Sequence, residues 1–402
     1  MKKSLSRCVV PAIGNGGRKP RVAVVCERDR AYGRRVCIGI ASAAVDTGWT
    51  LEFVDPGDFS RLRPPVGFDG AIVRVSNRRL ASALEKSGIP SVDIYTDTER
   101  EWCSSVDSDQ TEIGRAAAAF FLKRRYGSFA FCGYGGIGYS DKRCAAFSAA
   151  VRESGFDVSV FNGSKKAVDD FGASVMSGEK VALGADAALL ARWVRSLPRH
   201  TAVFCCHDVR AWQVIHVCRA VGIDVPGHLA VLGVDNDELV CSFVTPSISS
   251  IDNSAVRAGE RAVELLEERM RGLAVRHEKI APVGTFERES THAYPACEPW
   301  VAGIFDYIAA NCRRRVGVSD VIAFSGRPQS TVERAVKAAA GTTVRDFLLS
   351  ARFEAARQSL LFTDLPVSRV ARLSGFASSQ YFCRFFKART GETPESFRNR
   401  LK

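Results

Sequence analysis

The chain has no apolar run approaching the roughly 18 residues that a membrane helix needs. Its longest, Ala116–Leu122 and Ala187–Ala191, fall far short. After Lys2, Lys3 and Arg7 only Cys8–Ile13 is apolar, too short and too Gly-broken for a secretory h-region. A cytoplasmic location is expected. Thirteen cysteines cannot pair completely, and no C-x-x-C pair occurs among them. Zinc frameworks and disulfide frameworks are therefore unsupported, and buried reduced thiols are the expectation. The sequence also lacks a P-loop, an H-E-x-x-H helix and a nucleophile elbow. Gly133, Gly135, Gly136 and Gly138 read G-x-G-G-x-G, which meets the glycine spacing of the dinucleotide fingerprint G-x-G-x-x-G, a spacing that by itself is not specific. No enzyme activity, cofactor or metal is expected.

What remains is a 402-residue chain with 46% hydrophobic and 25% charged residues, which excludes disorder, collagen and coiled coil. That length suggests two to three domains. The net charge of +12 is unevenly placed. Val301–Lys402 holds 17 Lys or Arg against 8 Asp or Glu, a balance of +9. The first 300 residues hold 39 against 36, a balance of +3. A basic segment of this kind suits a polyanion, most simply nucleic acid.

From Arg21 onward, short β-rich runs alternate with helical-period stretches. Strands are expected at Arg21–Cys26, Thr50–Val54, Gly70–Val75, Ser91–Ile94, Ser128–Gly133, Ala202–Cys206 and Leu229–Val234. Helices are expected at Tyr32–Thr47, Leu80–Ser87, Thr111–Arg125, Lys142–Ser154 and Ala185–Leu197. This alternation implies βαβ units and parallel sheets. About 270 residues of it exceed one small sheet, so two α/β lobes are expected. Pro295, Glu298 and Pro299 interrupt the pattern. Beyond them the chain reads as all-helical, with helices at Val301–Cys312, Ser319–Phe324, Gln329–Ala340, Val344–Leu361, Val367–Leu373 and Ser378–Thr390. No internal repeat of fixed period is evident, although these six helices fall into two similar halves. The expected division is a tail at 1–18, a sensor domain at 19–290, a linker at 291–299 and a helical domain at 300–402.

The sharpest constellation is Leu365–Arg398. Val367, Val370 and Ala371 recur at helical spacing, Gly375 supplies a turn, and Ser378 can cap the next helix. Phe376 can plug the space between the two helices, and Tyr381, Phe382, Phe385 and Phe386 give a buried stripe. A short helix, a Gly turn and a second helix with exposed polar and basic residues is helix-turn-helix architecture. Its second helix fits the major groove of double-stranded DNA. The run V-A-R-L-S-G-F-A-S-S-Q-Y-F-C-R-F-F-K-A-R-T-G-E-T-P-E-S-F-R resembles the signature of the AraC/XylS family. Gly341–Thr342, Phe347, Arg352, Ala355 and Leu360–Leu361 are similar to that family's first helix-turn-helix and linker helix. The candidate DNA contacts are Ser378, Ser379, Gln380, Arg384 and Lys387, with Gln329, Ser330 and Arg334 in the first unit. Gln can pair with adenine and Arg with guanine or phosphate, and Lys387 suits a phosphate. Where the family usually has Ser-Arg, this chain has Pro328–Gln329, a departure that changes a candidate contact.

In the α/β section, S-V-D-S-D-Q-T-E-I-G-R-A-A-A-A-F-F-L, T-A-V-F-C-C-H-D-V-R-A-W, V-P-G-H-L-A-V-L-G-V-D-N-D and P-S-I-S-S-I-D together resemble the effector core of LacI/GalR repressors. The resemblance implies a periplasmic-binding-protein fold of two Rossmann-like lobes. Such a sensor ahead of an AraC-type domain is the arrangement of XylR-like regulators. That resemblance implies a homodimer, a sugar effector with xylose foremost, and activation of catabolic genes through RNA polymerase. Sugar recognition needs convergent carboxylates and Arg or Asn groups beside an aromatic face. Arg143, His207 and Asp235 fall on effector contacts of the resembled core, His207 where that core has Asn. Asp208, Tyr32, Tyr139 and Trp212 are further effector candidates, although Asp208 suits a helix N-cap equally well. The alternative is a ligand-independent regulator that keeps its sensor only for dimerisation.

Overall fold

The computed structural model describes residues 18–28, 30–59, 67–95, 98–163, 186–292 and 298–401. Most of the expected tail, 1–17, and residues 293–297 of the expected linker lie outside them. Two units form. One takes the described residues up to Ile113 together with Asp252–Gly284, the other takes Gly114–Ile251 with Thr285 onward.

In the first unit the chain runs β1 (Arg21–Val25), α1 (Ala31–Ala44), β2 (Thr50–Phe53), α2 (Pro56–Phe59), β3 (Gly70–Val73), α3 (Arg78–Ser87), β4 (Ser91–Asp93) and β5 (Ser104–Ser108). After α4 (Gln110–Lys123) the second unit follows with β6 (Ser128–Tyr134), α5 (Gly138–Glu153) and β7 (Val158–Gly163). It continues with α6 (Ala187–Ser196), β8 (Thr201–Cys205), α7 (Asp208–Ala220), β9 (Leu229–Val234), α8 (Glu238–Ser242) and β10 (Ser249–Asp252). The chain returns to the first unit for α9 (Ala255–Met270) and β11 (His277–Ile280), then enters β12 (Gly284–Phe286).

The sheet orders are β11-β5-β4-β3-β1-β2 and β12-β10-β9-β8-β6-β7. Among β1–β11 the strand pairing is parallel, as the alternating pattern requires, for instance Val24 with Ile72 and Phe131 with Phe204. In each sheet the order reverses beside its first strand, between β1 and β3 and between β6 and β8. Such switch points open a crevice at the carboxyl ends of the strands.

Local chemistry explains the elements. Asn77 accepts a hydrogen bond from the Leu80 amide and so starts α3, and Gly88, at φ 65°, ends it. Helices α1 and α9 approach so closely that a Cβ on Gly39 would lie 2.0 Å from the Val256 carbonyl oxygen. One on Gly259 would lie 2.1 Å from the Val36 carbonyl oxygen. Both positions therefore exclude any side chain.

Strand β5 departs from expectation. Ser104, Ser105, Asp107 and Ser108 are all buried in it, and a single apolar residue, Val106, is too little to mark it as a strand. Side-chain bonds hold it instead: Ser105 Oγ lies 2.8 Å from His277 Nδ1, and Ser108 Oγ donates to the Asn253 carbonyl.

The C-terminal helices are α10 (Pro299–Asn311), α11 (Val318–Ser325), α12 (Gln329–Ala340), α13 (Val344–Phe362), α14 (Val367–Leu373), α15 (Ser379–Thr390) and α16 (Pro394–Leu401). Two aromatic-rich cores form here. Ile304, Ile308, Val321, Val332, Val336 and Phe347 fill the first. Phe353, Leu360, Val370, Phe376, Phe382 and Phe386 fill the second. Helix α13 supplies both, Phe347 and Leu348 to one and Phe353, Ala356 and Leu360 to the other. It is the spine of the helical region. Phe376 plugs the second core as expected, 4.9 Å from Phe382, whereas Tyr381 and Phe385 are only half-buried at its edge. Among the described residues no helix is long and apolar enough to cross a membrane.

Candidate effector site and nucleic-acid interface

Four of the expected effector residues sit at the carboxyl ends of the second sheet. Tyr139 and Arg143 lie in the first turns of α5, after β6. His207 follows β8 and Asp235 follows β9. The switch point between β6 and β8 thus faces Tyr139, Arg143 and His207. The buried Arg143 guanidinium is 5.2 Å from the Tyr139 ring centre and donates to the Cys206 carbonyl. The His207 ring lies 6.1 Å from that of Tyr139 and 5.7 Å from that of Tyr134. Its Nδ1 accepts the Arg210 amide at 3.0 Å, so His207 rather than Asp208 caps α7. In the neutral ring, that bond assigns the proton to Nε2. Cation, imidazole N–H and aromatic faces converge in a small volume, the donor chemistry that sugar hydroxyls require.

Asp208 takes a different part. It is buried, its Oδ2 accepts the Asp237 amide at 2.8 Å, and its Oδ1 accepts Ser250 Oγ at 2.5 Å. Gly233 makes room for it, because a Cβ there would lie 2.1 Å from Asp208 Oδ1. Burial, reinforced by the neighbouring Asp235, raises the Asp208 pKa well above the usual carboxylate range. Its oxygens hold the loop that carries Asp235. That loop is strained: Asp235 has φ 106° and Asn236 φ 49°, two successive non-glycine residues on the left-handed side. Trp212, by contrast, stacks on His216 with ring centres 3.9 Å apart and packs on the lobe core.

Tyr32 belongs to the first unit, where its hydroxyl lies 2.9 Å from the Ile94 carbonyl oxygen and 3.1 Å from Asp107 Oδ1. Around it stand groups that sequence reasoning did not single out. Glu27 pairs with Arg74, and the Arg74 guanidinium stacks 4.3 Å from the Tyr95 ring centre. Gln110 Nε2 approaches the Asp107 carboxylate at 3.4 Å. These residues end or follow β1, β3, β4 and β5, the carboxyl edge of the first sheet. Strand-end position was the signal available for Glu27 and Arg74, since β1 and β3 were expected strands. Asp107 had none, because β5 was not expected.

The helical region contains a repeat of fifty residues that the sequence did not make evident. Helices α12 and α15 each have 12 residues, and each ends at a left-handed glycine, Gly341 and Gly391. Val332 corresponds to Phe382 and Val336 to Phe386 on the buried face. Ser330 corresponds to Gln380, Arg334 to Arg384 and Lys337 to Lys387 on the exposed face. All the expected contact residues, Gln329, Ser330, Arg334, Ser378, Gln380, Arg384 and Lys387, are exposed, and Ser379 is half-exposed. Lys337 joins them by symmetry. Ser378 caps α15 by accepting the Tyr381 amide at 3.2 Å, whereas Pro328 enters α12 without a side-chain cap. Each half therefore presents a polar N-terminal turn followed by two cations one turn apart, the geometry with which a recognition helix meets base edges and phosphates.

Comparison with known proteins agrees with both halves. Residues 118–291 match the periplasmic binding protein-like domain, and residues 323–400 match a helix-turn-helix domain. The chain is thus a DNA-binding transcription regulator, a two-lobed periplasmic-binding-protein-like sensor followed by an AraC-type helix-turn-helix domain. More narrowly, it is similar over nearly its whole length to xylose regulators. It is 24% identical over 397 residues to the xylose operon regulatory protein of Escherichia coli (strain K12), covering 95% of this chain and 97% of the relative. It is 29% identical over 208 residues to the protein of the same description from Haemophilus influenzae, covering 51% of this chain and 54% of that one. A solved structure described as the xylose-binding transcription activator xylR shares the fold, with a TM-score of 0.61 at 23% identity. It covers 95% of this chain and 98% of its own. These relatives are regulators, not enzymes.

Proposed function

We propose that this chain is a cytoplasmic, sugar-responsive regulator that acts as a homodimer on operator DNA. Its effector is a monosaccharide, with D-xylose foremost because the relatives spanning the whole chain are xylose regulators. The sensor occupies residues 19–290 and the DNA-binding domain residues 300–402. The observation that carries the reading is the placement of Arg143, His207 and Asp235 at successive strand ends, two of them flanking a topological switch point. Arg143 and His207 donate to hydroxyl oxygens, Asp235 accepts from hydroxyls, and the Tyr139 face covers the ring. Tyr32 shapes the first-lobe side of the sensor. Sugar shifts the sensor between populations of different DNA affinity, and by linkage the shift equals its differential affinity for them. The active outcome is recruitment of RNA polymerase to catabolic genes.

A thermal-shift panel of D-xylose, L-arabinose, D-ribose, D-glucose and D-galactose tests this. The cognate sugar stabilises the protein by about 2.7 kcal/mol at 100 times its dissociation constant. Asp235→Ala removes that shift while leaving DNA binding without sugar intact. Retention of the full shift in this variant would refute the assignment, and no shift with any sugar would refute the sensor reading.

A further inference from the structure

Within the second unit, five side chains from three distant parts of the chain form one buried polar cluster. Asn236 lies in the strained loop that begins at Asp235, and Glu238 opens α8 directly after it. Arg288 comes from the segment between β12 and the helical region. Glu354 and Arg357 come from α13. Both arginines are almost wholly buried. Arg288 donates to Asn236 Oδ1 at 2.7 Å and to the Ile248 carbonyl at 2.7 Å, and it pairs with Glu238 at 3.2 Å and Glu354 at 3.3 Å. Arg357 pairs with Glu354 at 2.6 Å and with Glu238, and its guanidinium lies 5.4 Å from the Phe286 ring centre.

Two buried arginines and two carboxylates are a poor way to stabilise a packed interface. Desolvation cancels most of the attraction, and apolar residues of similar volume do as well. What such a cluster supplies is a single permitted arrangement, because any slip leaves a buried charge uncompensated. Its geometry says which parts are locked. On one side is the loop of Asp235, which Asp208 holds through the Asp237 amide and Ser250 holds through the Asn236 amide. On the other is the spine helix shared by both recognition-helix cores. The loop's two successive positive φ angles are strained, and the Asp208 and Ser250 bonds hold them.

We propose that this cluster couples effector occupancy at Asp235 to the orientation of α13, with Arg288 and Arg357 as positioning residues. The inference rests on the sugar-sensor reading. A ligand that bonds to Asp235 redistributes the strain of residues 235–236. The cluster then moves or releases α13, and with it α12 and α15 together.

The test uses the full-length chain, a duplex that the wild type selects from a random pool, and the sugars of the panel above. Sugar affinity is measured by calorimetry, and DNA affinity by anisotropy with and without sugar. In the wild type, sugar changes DNA affinity by a factor of about 5 to 150, and DNA changes sugar affinity by the same factor. In Arg357→Met and, separately, Glu238→Gln, that factor falls to near one in both directions. Sugar affinity without DNA changes by less than about threefold. Two variants, one on each side of the cluster, guard against misfolding of either, and a cooperative melt verifies both. Wild-type coupling retained in both folded variants overturns the inference while the sensor reading stands. A wild type that binds no sugar overturns the sensor reading and the inference with it.

Discussion

The paired exposed cations of the two recognition helices can be counted in a salt titration. Arg334, Lys337, Arg384 and Lys387 occupy matched exposed positions on α12 and α15, fifty residues apart. If each neutralises one phosphate, they contribute about −3.6 to the slope of log affinity against log salt. Between about 50 and 200 mM salt, these four contacts alone then account for a loss of roughly 150-fold in affinity. Lys337→Ala combined with Lys387→Ala leaves two contacts, a contribution of about −1.8 and a loss of roughly 12-fold over the same range. Anisotropy titrations of full-length protein against one duplex measure both slopes directly. Neither lysine packs in a core, so the melting temperature stays where it was. The sequence preference also holds, because phosphate contacts position the protein without specifying bases. Gln380→Ala provides the contrast: the slope is unchanged, and preference at one base position relaxes by about 1–3 kcal/mol. An unchanged slope in the double-lysine variant refutes the phosphate assignment for both halves at once. A reduced slope in Lys387→Ala but not in Lys337→Ala refutes the equivalence of the two helices.

Three further outcomes follow from packing and burial. Gly39→Ala gains about 1 kcal/mol of helix propensity but forces a Cβ to within 2.0 Å of the Val256 carbonyl oxygen. Overpacking of about 1–3 kcal/mol wins, so urea denaturation should show a net loss of stability, and a net gain would refute the close crossing. Phe382→Ala empties a fully buried ring site beside Phe376 and Phe386, costs about 3–5 kcal/mol, and removes DNA binding along with the second core's cooperative melt. Burial raises the Asp93 pKa to about 6, so its folded value exceeds its unfolded one. The folded state then holds the extra proton, and stability falls as pH rises from the unfolded carboxylate range through about 6. Asp93→Asn, whose Oδ1 can still accept the Val75 and Tyr95 amides, flattens that limb of the stability–pH profile, and an unchanged limb would assign it elsewhere.

The recognition helices were legible because every boundary signal is local. The bounds Gln329–Ala340 and Val367–Leu373 coincide with expectation, and Gly341, Gly375 and Ser378 act where their residue types predict. Strand β5 and the paired serines of β10 were not legible. Their burial is satisfied by partners far along the chain, as when Ser249 Oγ meets Thr291 Oγ1 at 2.7 Å. A serine whose hydroxyl finds such a partner behaves as a core residue, and no periodicity announces it. Helix α16 was also missed, being short and mostly polar. In the candidate site, strand-end positions were readable one at a time. The groups joined to them were not: Glu27, Arg74 and Tyr95 come together from three strand ends with no spacing rule between them. The fifty-residue repeat hid because its matched core positions differ in size, valine in one half and phenylalanine in the other.

The chain passes between the two units three times, after Ile113, after Ile251 and after Gly284. A single proteolytic nick at any one passage therefore severs no unit from the other, since two covalent tethers remain. The two pieces that a nick leaves have no covalent link, and the packing inside a unit built from both holds them together. The nicked protein would run as one species on a native gel and come apart into fragments only in denaturant. Neither unit can be obtained as one contiguous stretch of the gene. A soluble first unit would need residues 18–113 joined directly to residues 252–284, a circular economy of sequence that any dissection of this regulator must respect.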